Sequence, residues 1–283
     1  LALVALGVAV ASTAGERAGP PPAALVALGQ RLLADPRLGA DGATSCLSCH
    51  RPAAGYTDGR ATARPGGLNT PPLWGLRERR AFGWFNPEVA SLEQMALRPL
   101  ADPAEMGPRR DSTLARLRAD PGLAAAFGAA FPGARRLVTW EQIAAALAAA
   151  IRAIPDPDGP FQRSLAGDAA AVSPAARRGG ALFAELGCAA CHRPPTFAND
   201  SYHDVGVSAD RGRNGGAARV PSLRGVRLTG PYFHDGSAAT LEAVVRAYAR
   251  GGQAPDGATS PAITPLQLTE RDVRDLVAFL SSL

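Results

Sequence analysis

The 283-residue chain contains no lysine; all 30 of its basic residues are arginine. They are dispersed among 25 acidic residues rather than gathered into one stretch, so nucleic-acid binding has no local support. The arginine bias reads as the mark of a GC-rich genome. Long apolar runs are also missing. The longest, Leu1 to Ala14, is uncharged but falls short of the roughly 20 residues that a bilayer span needs. Residues 1–14 read instead as the apolar region of a secretory signal, with the small residues Ala9 and Ala11 offering a cleavage site. No initiator Met or basic n-region precedes it, so the start is expected to be truncated. Ile143 to Ile154 is shorter still and stops at Pro155, leaving no membrane span expected in the mature protein. Export points to the periplasm of a Gram-negative bacterium. What is abundant is apolar residue (46%) against few charges (19%), enough for one large core or two ordinary ones. Glycine (31) and proline (25) are frequent without the strict period of collagen, which predicts many turns and fixed loops.

Cysteine is scarce, and its four copies are all spent in one pattern. Cys46-Leu-Ser-Cys49-His50 and Cys188-Ala-Ala-Cys191-His192 are both C-x-x-C-H. Two thiols one helical turn apart can add to the two vinyl groups of a haem, while the adjoining imidazole reaches the iron. Two covalent haem c groups follow. Zinc is the plain alternative, but its cysteine pairs usually lie about 15 to 20 residues apart. Here 142 positions separate Cys46 from Cys188. Disulfides in an exported protein would leave the paired histidines unexplained.

The motifs also mark a degenerate repeat, Ala27 to Gly59 against Ala181 to Asp200. In each, an apolar helical pattern precedes the haem site, and Arg-Pro and then an aromatic with Asp or Asn follow. Leu25, Leu28 and Leu32 share one helical face before the first site, and Tyr56-Thr57-Asp58-Gly59 reads as a turn after it. The second unit begins near Pro174. Between them the spacing predicts helices over 113–127 and 141–154, the latter opened by a Thr139/Gln142 capping box, with Ile143, Leu147, Ile151 and Ile154 facing its core. A final helix starts at Thr269, with Asp272 three residues on and Val273, Leu276, Val277 and Leu280 on one stripe. Strand alternation is nowhere sustained. The expected fold is all-α: two cytochrome c-like domains at 20–160 and 173–283, joined through Ser164 to Pro174.

Two haems suit either an electron carrier, with both irons six-coordinate, or an enzyme with one open position. After His50 and His192, only His203, His234, Met95 and Met106 remain as common sixth ligands, and no methionine follows Cys191. Met95 or Met106 could cap the first haem of a carrier.

Further segments then carry a resemblance. Ser91-Leu92-Glu93-Gln94, Arg98-Pro99-Leu100, Pro103-Ala104-Glu105-Met106-Gly107, Arg219-Val-Pro-Ser-Leu-Arg224 and Leu228-Thr-Gly-Pro-Tyr-Phe-His-Asp-Gly236 occur in this order. With the two haem motifs they make the chain resemble the bacterial dihaem cytochrome c peroxidase and MauG family over nearly its whole mature length. The resemblance implies an N-terminal haem that reacts with hydrogen peroxide, a C-terminal haem that stores electrons, and a calcium ion between the domains.

Carried over by motif, Glu105 is the distal carboxylate that moves a proton between the peroxide oxygens, and Pro99 shapes that pocket. The second haem's distal ligand falls on Tyr248, as in MauG, where a phenolate stabilises high oxidation states better than a thioether. A core tyrosine is the ordinary alternative. Asn69, with the carbonyls of Thr229 and Pro231, would hold the calcium. Arg60 to Leu68 lacks the histidine that caps the peroxidatic haem in members needing reductive activation, so the first haem is expected to be open. Met95 stands where many members have glutamine, although Gln94 is adjacent. The family's Trp-Asp-Gly-Arg stretch reads Trp84-Phe85-Asn86-Pro87, which leaves Trp84 or Phe85 between the haems, with Trp84 preferred as the oxidisable ring. His203 and His234 read as hydrogen-bonding residues of the haem pockets or their propionates. The expected activity is peroxide reduction with oxidation of a partner protein. The alternatives are a peroxidase fed by a small cytochrome or cupredoxin, and a dihaem electron carrier.

Overall fold

A computed structural model describes residues 21–61, 68–107, 110–206, 216–252 and 259–283. The signal segment expected at 1–14 lies outside them, as does most of the Arg60 to Leu68 stretch. Helices dominate, and the only ladder of strands among the described residues pairs β1 (Tyr202–His203) with β2 (Ala218–Arg219), antiparallel, Tyr202 opposite Arg219.

Two buried cores divide the described residues. The first is built on α1 (Ala23–Leu33) and α6 (Trp140–Ala153). Leu28 and Leu32, one turn apart on α1, are buried against Ile143 and Leu147 of α6 and Phe127. The helices approach so closely at Gly29 that a Cβ there would lie 1.9 Å from the Ala146 carbonyl oxygen. The capping box that opens α6 is present: Gln142 N donates to Thr139 Oγ1 and Thr139 N to Gln142 Oε1. The second core joins α8 (Pro174–Glu185) to α11 (Glu270–Ser282), and it repeats the device. A Cβ on Gly179 would lie 1.9 Å from the Asp275 carbonyl oxygen. Around that crossing Phe161, Phe183, Phe197 and Phe279 form an edge-on cluster with centroids 5.2 to 6.3 Å apart. Burial of each such side chain is worth about 1.5–3 kcal/mol. An exposed ion pair such as Arg110–Glu141 is worth about 0–1 kcal/mol, so the cores carry the fold.

One helical expectation is corrected. The segment read as a single helix over 113–127 is two, α4 (Arg110–Arg118) and α5 (Pro121–Ala130). Pro121 cannot donate in a helix interior and occupies the first turn of a new one, whose first free N–H groups are capped by Asp120 accepting from Leu123 N at 3.0 Å. The last helix behaves as expected, with Thr269 and Asp272 boxed at its start.

The halves are stitched together largely through main-chain atoms. Arg219 N donates to Trp84 O (2.8 Å), Tyr202 Oη to Gly83 O (2.7 Å), and Asn69 N to His234 O (2.8 Å). Arg224 adds an ion pair to Asp156.

Candidate active site

The two cysteine-histidine motifs form matching one-turn helices, α2 (Cys46–Cys49) and α9 (Cys188–Cys191), each ended by its histidine with a backbone hydrogen bond to the first cysteine. One turn brings the two thiols to the same side, and all four cysteines are free of disulfides. Burial pushes the Cys46 thiol up to about 11 and raises Cys188 as well. Protonated thiols in separate halves are poor zinc ligands, and among the described residues no three His, Cys, Asp or Glu side chains converge as a metal site.

Both imidazoles are prepared for iron. His50 Nδ1 lies 3.0 Å from Tyr56 O, and His192 Nδ1 lies 3.1 Å from Phe197 O. A carbonyl can only accept, so each Nδ1 carries the proton and each Nε2 keeps its lone pair free. Burial lowers the basicity of His50 and pushes His192 down to about 4, where the nearby Arg79 charge adds to the effect. Neutral rings with an unprotonated Nε2, each next in sequence to two free thiols, fit a covalently attached haem c at both motifs.

Tyr248 lies on α10 (Leu241–Ala249), with its ring 6.0 Å from that of Phe233. Its phenol is close enough to Cys188 and Cys191 for their charges to oppose its ionisation, behind burial as the larger cause. It therefore stands at the second motif. Burial keeps the phenol protonated, and a cation bound to its oxygen would reverse that preference.

On the first side, Glu105 sits in a turn held at both ends. Its N–H donates to Asp102 O, Met106 N donates to Pro99 O, and Met106 O accepts from Ala40 N at 2.8 Å, in the loop leading into Cys46. Glu105 is exposed. Pro99 falls inside α3 (Leu92–Ala101), where its missing N–H leaves the Met95 carbonyl without its helical partner. Met106 is buried in the first core, and Met95 packs against that core. Gln94 is exposed, with Oε1 accepting from Ala90 N at the start of the same helix.

Between the halves, Trp84 stacks on Phe85 (5.9 Å, 8°), and Phe85 meets the His234 ring edge-on (5.4 Å, 88°). The ring contact to the C-terminal half is thus made by Phe85, with Trp84 behind it. His234 is buried and its Nε2 has no partner. His203 Nε2 lies 2.9 Å from Ser201 Oγ and 3.6 Å from Cys191 Sγ, and Nδ1 lies 3.1 Å from Ser260 Oγ. Asn69 bridges from the first half, donating through Nδ2 to Pro231 O and, at 3.2 Å, to Phe233 O, while its buried Oδ1 has no partner. The sequence did not single out Arg79, buried beside Asp200 and Tyr202. Arg219 had figured only as part of a motif.

Comparison with known proteins follows these lines. The family model for di-haem cytochrome c peroxidase matches residues 23–170, and that for cytochrome c matches 176–283. The chain is 40% identical over 276 residues to the methylamine utilization protein MauG of Methylorubrum extorquens, covering 91% of this chain and 77% of that one. It is 34% identical over 349 residues to the cytochrome-c peroxidase IdrP1 of Denitromonas iodatirespirans, covering 100% and 91%. Among solved structures, a MauG-like protein associated with microbial copper homeostasis superposes with a TM-score of 0.83 at 31% identity, covering 93% of this chain and 90% of that one. Among the described residues no helix is long and apolar enough to cross a membrane.

Proposed function

Because the chain belongs to the di-haem cytochrome c peroxidase and MauG family of oxidoreductases, we propose that it reduces hydrogen peroxide at a haem held by Cys46, Cys49 and His50 and passes the oxidising equivalents on through a second haem held by Cys188, Cys191, His192 and Tyr248. The N-terminal cytochrome c-like domain spans 20–160 and the C-terminal one 173–283, in the periplasm after export.

The haem iron, when bound, supplies the redox chemistry and a site for one peroxide oxygen. The chain's own residues do the rest. Glu105 takes the proton from the oxygen nearer the iron and returns it to the farther one, so that the O–O bond breaks with water as the leaving group. Pro99, at the end of α3, limits the room beside that carboxylate. His50 and His192 are kept neutral and oriented by the carbonyls of Tyr56 and Phe197. Tyr248 serves the second iron as a phenolate. Trp84, stacked on Phe85, is the oxidisable ring on the route between the halves. Asn69 with the carbonyls of Thr229 and Pro231 is the candidate calcium set: turning the Asn69 amide half a turn would bring its orphaned Oδ1 beside Pro231 O, an oxygen pair that a cation would reconcile.

The observation that carries this reading is Tyr248 beside Cys188 and Cys191, because a phenolate ligand suits storage of an oxidising equivalent for a slow partner, such as a Trp or Tyr of another protein. A second reading, a peroxidase supplied by a small cytochrome or cupredoxin, rests on the full-length likeness to the Denitromonas peroxidase.

The ferric protein is examined by EPR and optical spectroscopy before and after one equivalent of hydrogen peroxide, without a donor. One high-spin and one low-spin haem, with a long-lived oxidised state after peroxide, are expected. Two low-spin haems inert to peroxide would overturn the proposal. If Tyr248→Phe leaves the low-spin signal unchanged, the tyrosine ligand is wrong. Rapid decay in the presence of a small cytochrome, with no oxidation of protein targets, would select the second reading.

A further inference from the structure

Two arginines with buried guanidinium atoms lie within electrostatic reach of one another where the halves meet. Arg79 comes from the first half and has a side chain only 5% exposed. Its Nη1 donates to Asn199 O and stands 3.5 Å from Asp200 Oδ1, while its Nε is buried without an acceptor. Arg219 comes from β2 of the second half, and both its Nε and Nη1 are buried without acceptors. Burial, with Arg79 next to it, pushes the Arg219 guanidinium down to about 10. Asp200 is the carboxylate of this cluster, and its other oxygen is occupied by Arg80 N at 3.1 Å. Two guanidinium groups share one carboxylate, whose Oδ1 makes no hydrogen bond itself, and this leaves an excess positive charge and three N–H groups with nothing to bind. An anion is the missing partner, and planar guanidinium forks match a carboxylate.

The position says which carboxylate. The β1–β2 ribbon runs along the second motif, with His203 of β1 at 3.6 Å from Cys191 Sγ and Tyr202 paired directly across from Arg219. Arg79 is near enough to His192 for its charge to be felt at that ring. A haem c at Cys188 and Cys191 brings two propionate carboxylates into this neighbourhood.

We propose that Arg79 and Arg219 form a carboxylate clamp, one arm from each half, for a propionate of the haem attached at Cys188 and Cys191. It rests on the haem reading of that motif. Attachment of the second haem then draws the two halves together, because its acidic edge is the counter-ion for both.

The test uses the intact dihaem protein and the variants Arg219→Gln, Arg79→Gln and Arg224→Gln. Haem c per chain is counted in every sample, so a failure of the haem reading shows itself separately. The potentials of both haems are then measured by optical redox titration without peroxide. The component missing from a Cys188→Ser/Cys191→Ser variant identifies the second haem. Loss of one clamp arm leaves the propionate less compensated, which disfavours the reduced state. At fixed ambient potential the reduced-to-oxidised ratio of the second haem is expected to fall about tenfold in Arg219→Gln and Arg79→Gln, which corresponds to about 59 mV for one electron. The first haem and the Arg224→Gln protein should not move. Two attached haems with unchanged second-haem potential would overturn the proposal, as would an equal shift in Arg224→Gln, which would trace the effect to loosened halves. A shift confined to the first haem would overturn it too. If Arg219→Gln does not fold, Arg219→Lys keeps the charge but loses the fork, and resonance Raman should show its propionate bending mode displaced from that of the unmodified protein. A mode identical in both would reject the clamp. A potential that follows the choice of chloride or perchlorate in the buffer would mean that a mobile anion, not the propionate, fills the site.

Discussion

Gly179 lies directly against the main chain of Asp275, and the guanidinium of its neighbour Arg178 grips the same aspartate through two hydrogen bonds of 2.7 and 2.8 Å. The absent side chain and the ion pair act together: one lets α8 and α11 touch, and the other sets their register.

Replacing that glycine should therefore separate the helices. Gly179→Ala is expected to cost about 1–3 kcal/mol, read as a lowered melting temperature of the haem-loaded protein. Gly128→Ala is the contrast, because its Cβ would meet only Leu137 Cδ1 at 3.9 Å within α5, and there the better helix former should be neutral or stabilising by up to about 1 kcal/mol. Equal losses in both would mean that the close crossing is not what matters.

The two motifs should bind haem independently. Cys188→Ser/Cys191→Ser is expected to halve the haem-to-protein ratio, measured by the pyridine haemochrome, and Cys46→Ser/Cys49→Ser to do the same. Unchanged content in either variant would remove that motif from the reading.

Glu105 is exposed in a turn held by the Pro99 and Met106 main chains, so its side chain can be changed without disturbing a core. Glu105→Gln should lower the rate of the peroxide reaction about 10²–10⁴-fold in stopped flow while both haems remain attached. A rate within a factor of two of the original protein would exclude proton transfer by this residue.

Helix α3 is pinned to α6 by Arg152, whose guanidinium reaches both oxygens of Glu93 at 2.6 and 3.1 Å. Arg152 holds the Glu93 carboxyl below its ordinary value of 4.5. A carboxylate with a lowered folded value stabilises the fold above the ordinary value and loses that contribution as pH falls through the lower one. The urea midpoint should consequently fall between about pH 5 and pH 3 by more in the original protein than in Glu93→Gln. Parallel pH profiles would show that the pair contributes nothing to stability.

Much of the site was legible because its chemistry is local. Cys-x-x-Cys-His sets both thiols and the imidazole within five residues, and the caps at Thr139 and Thr269 are read from residues three apart. Misreading 113–127 as one helix was also local: the apolar spacing continues through Asp120 and Pro121, and only the proline's missing N–H breaks it. The clamp of Arg79 and Arg219 was not legible, because 140 positions separate the two residues and neither spacing nor composition records a buried donor. Gly29 and Gly179 escaped notice for the same reason, since closeness to Ala146 and Asp275 is a property of the partner helix.

The seam at Gly83, Trp84, Tyr202 and Arg219 is drawn mainly in peptide groups, which every residue type supplies. Substitutions of Trp84 or Phe85 can change the rings between the halves while leaving the carbonyls of Gly83, Trp84 and Asn86 in place. A single inserted or deleted residue cannot, because it would slip every following carbonyl out of step with the ribbon. Drift at Trp84 and Phe85 is therefore tolerant of spelling and intolerant of length.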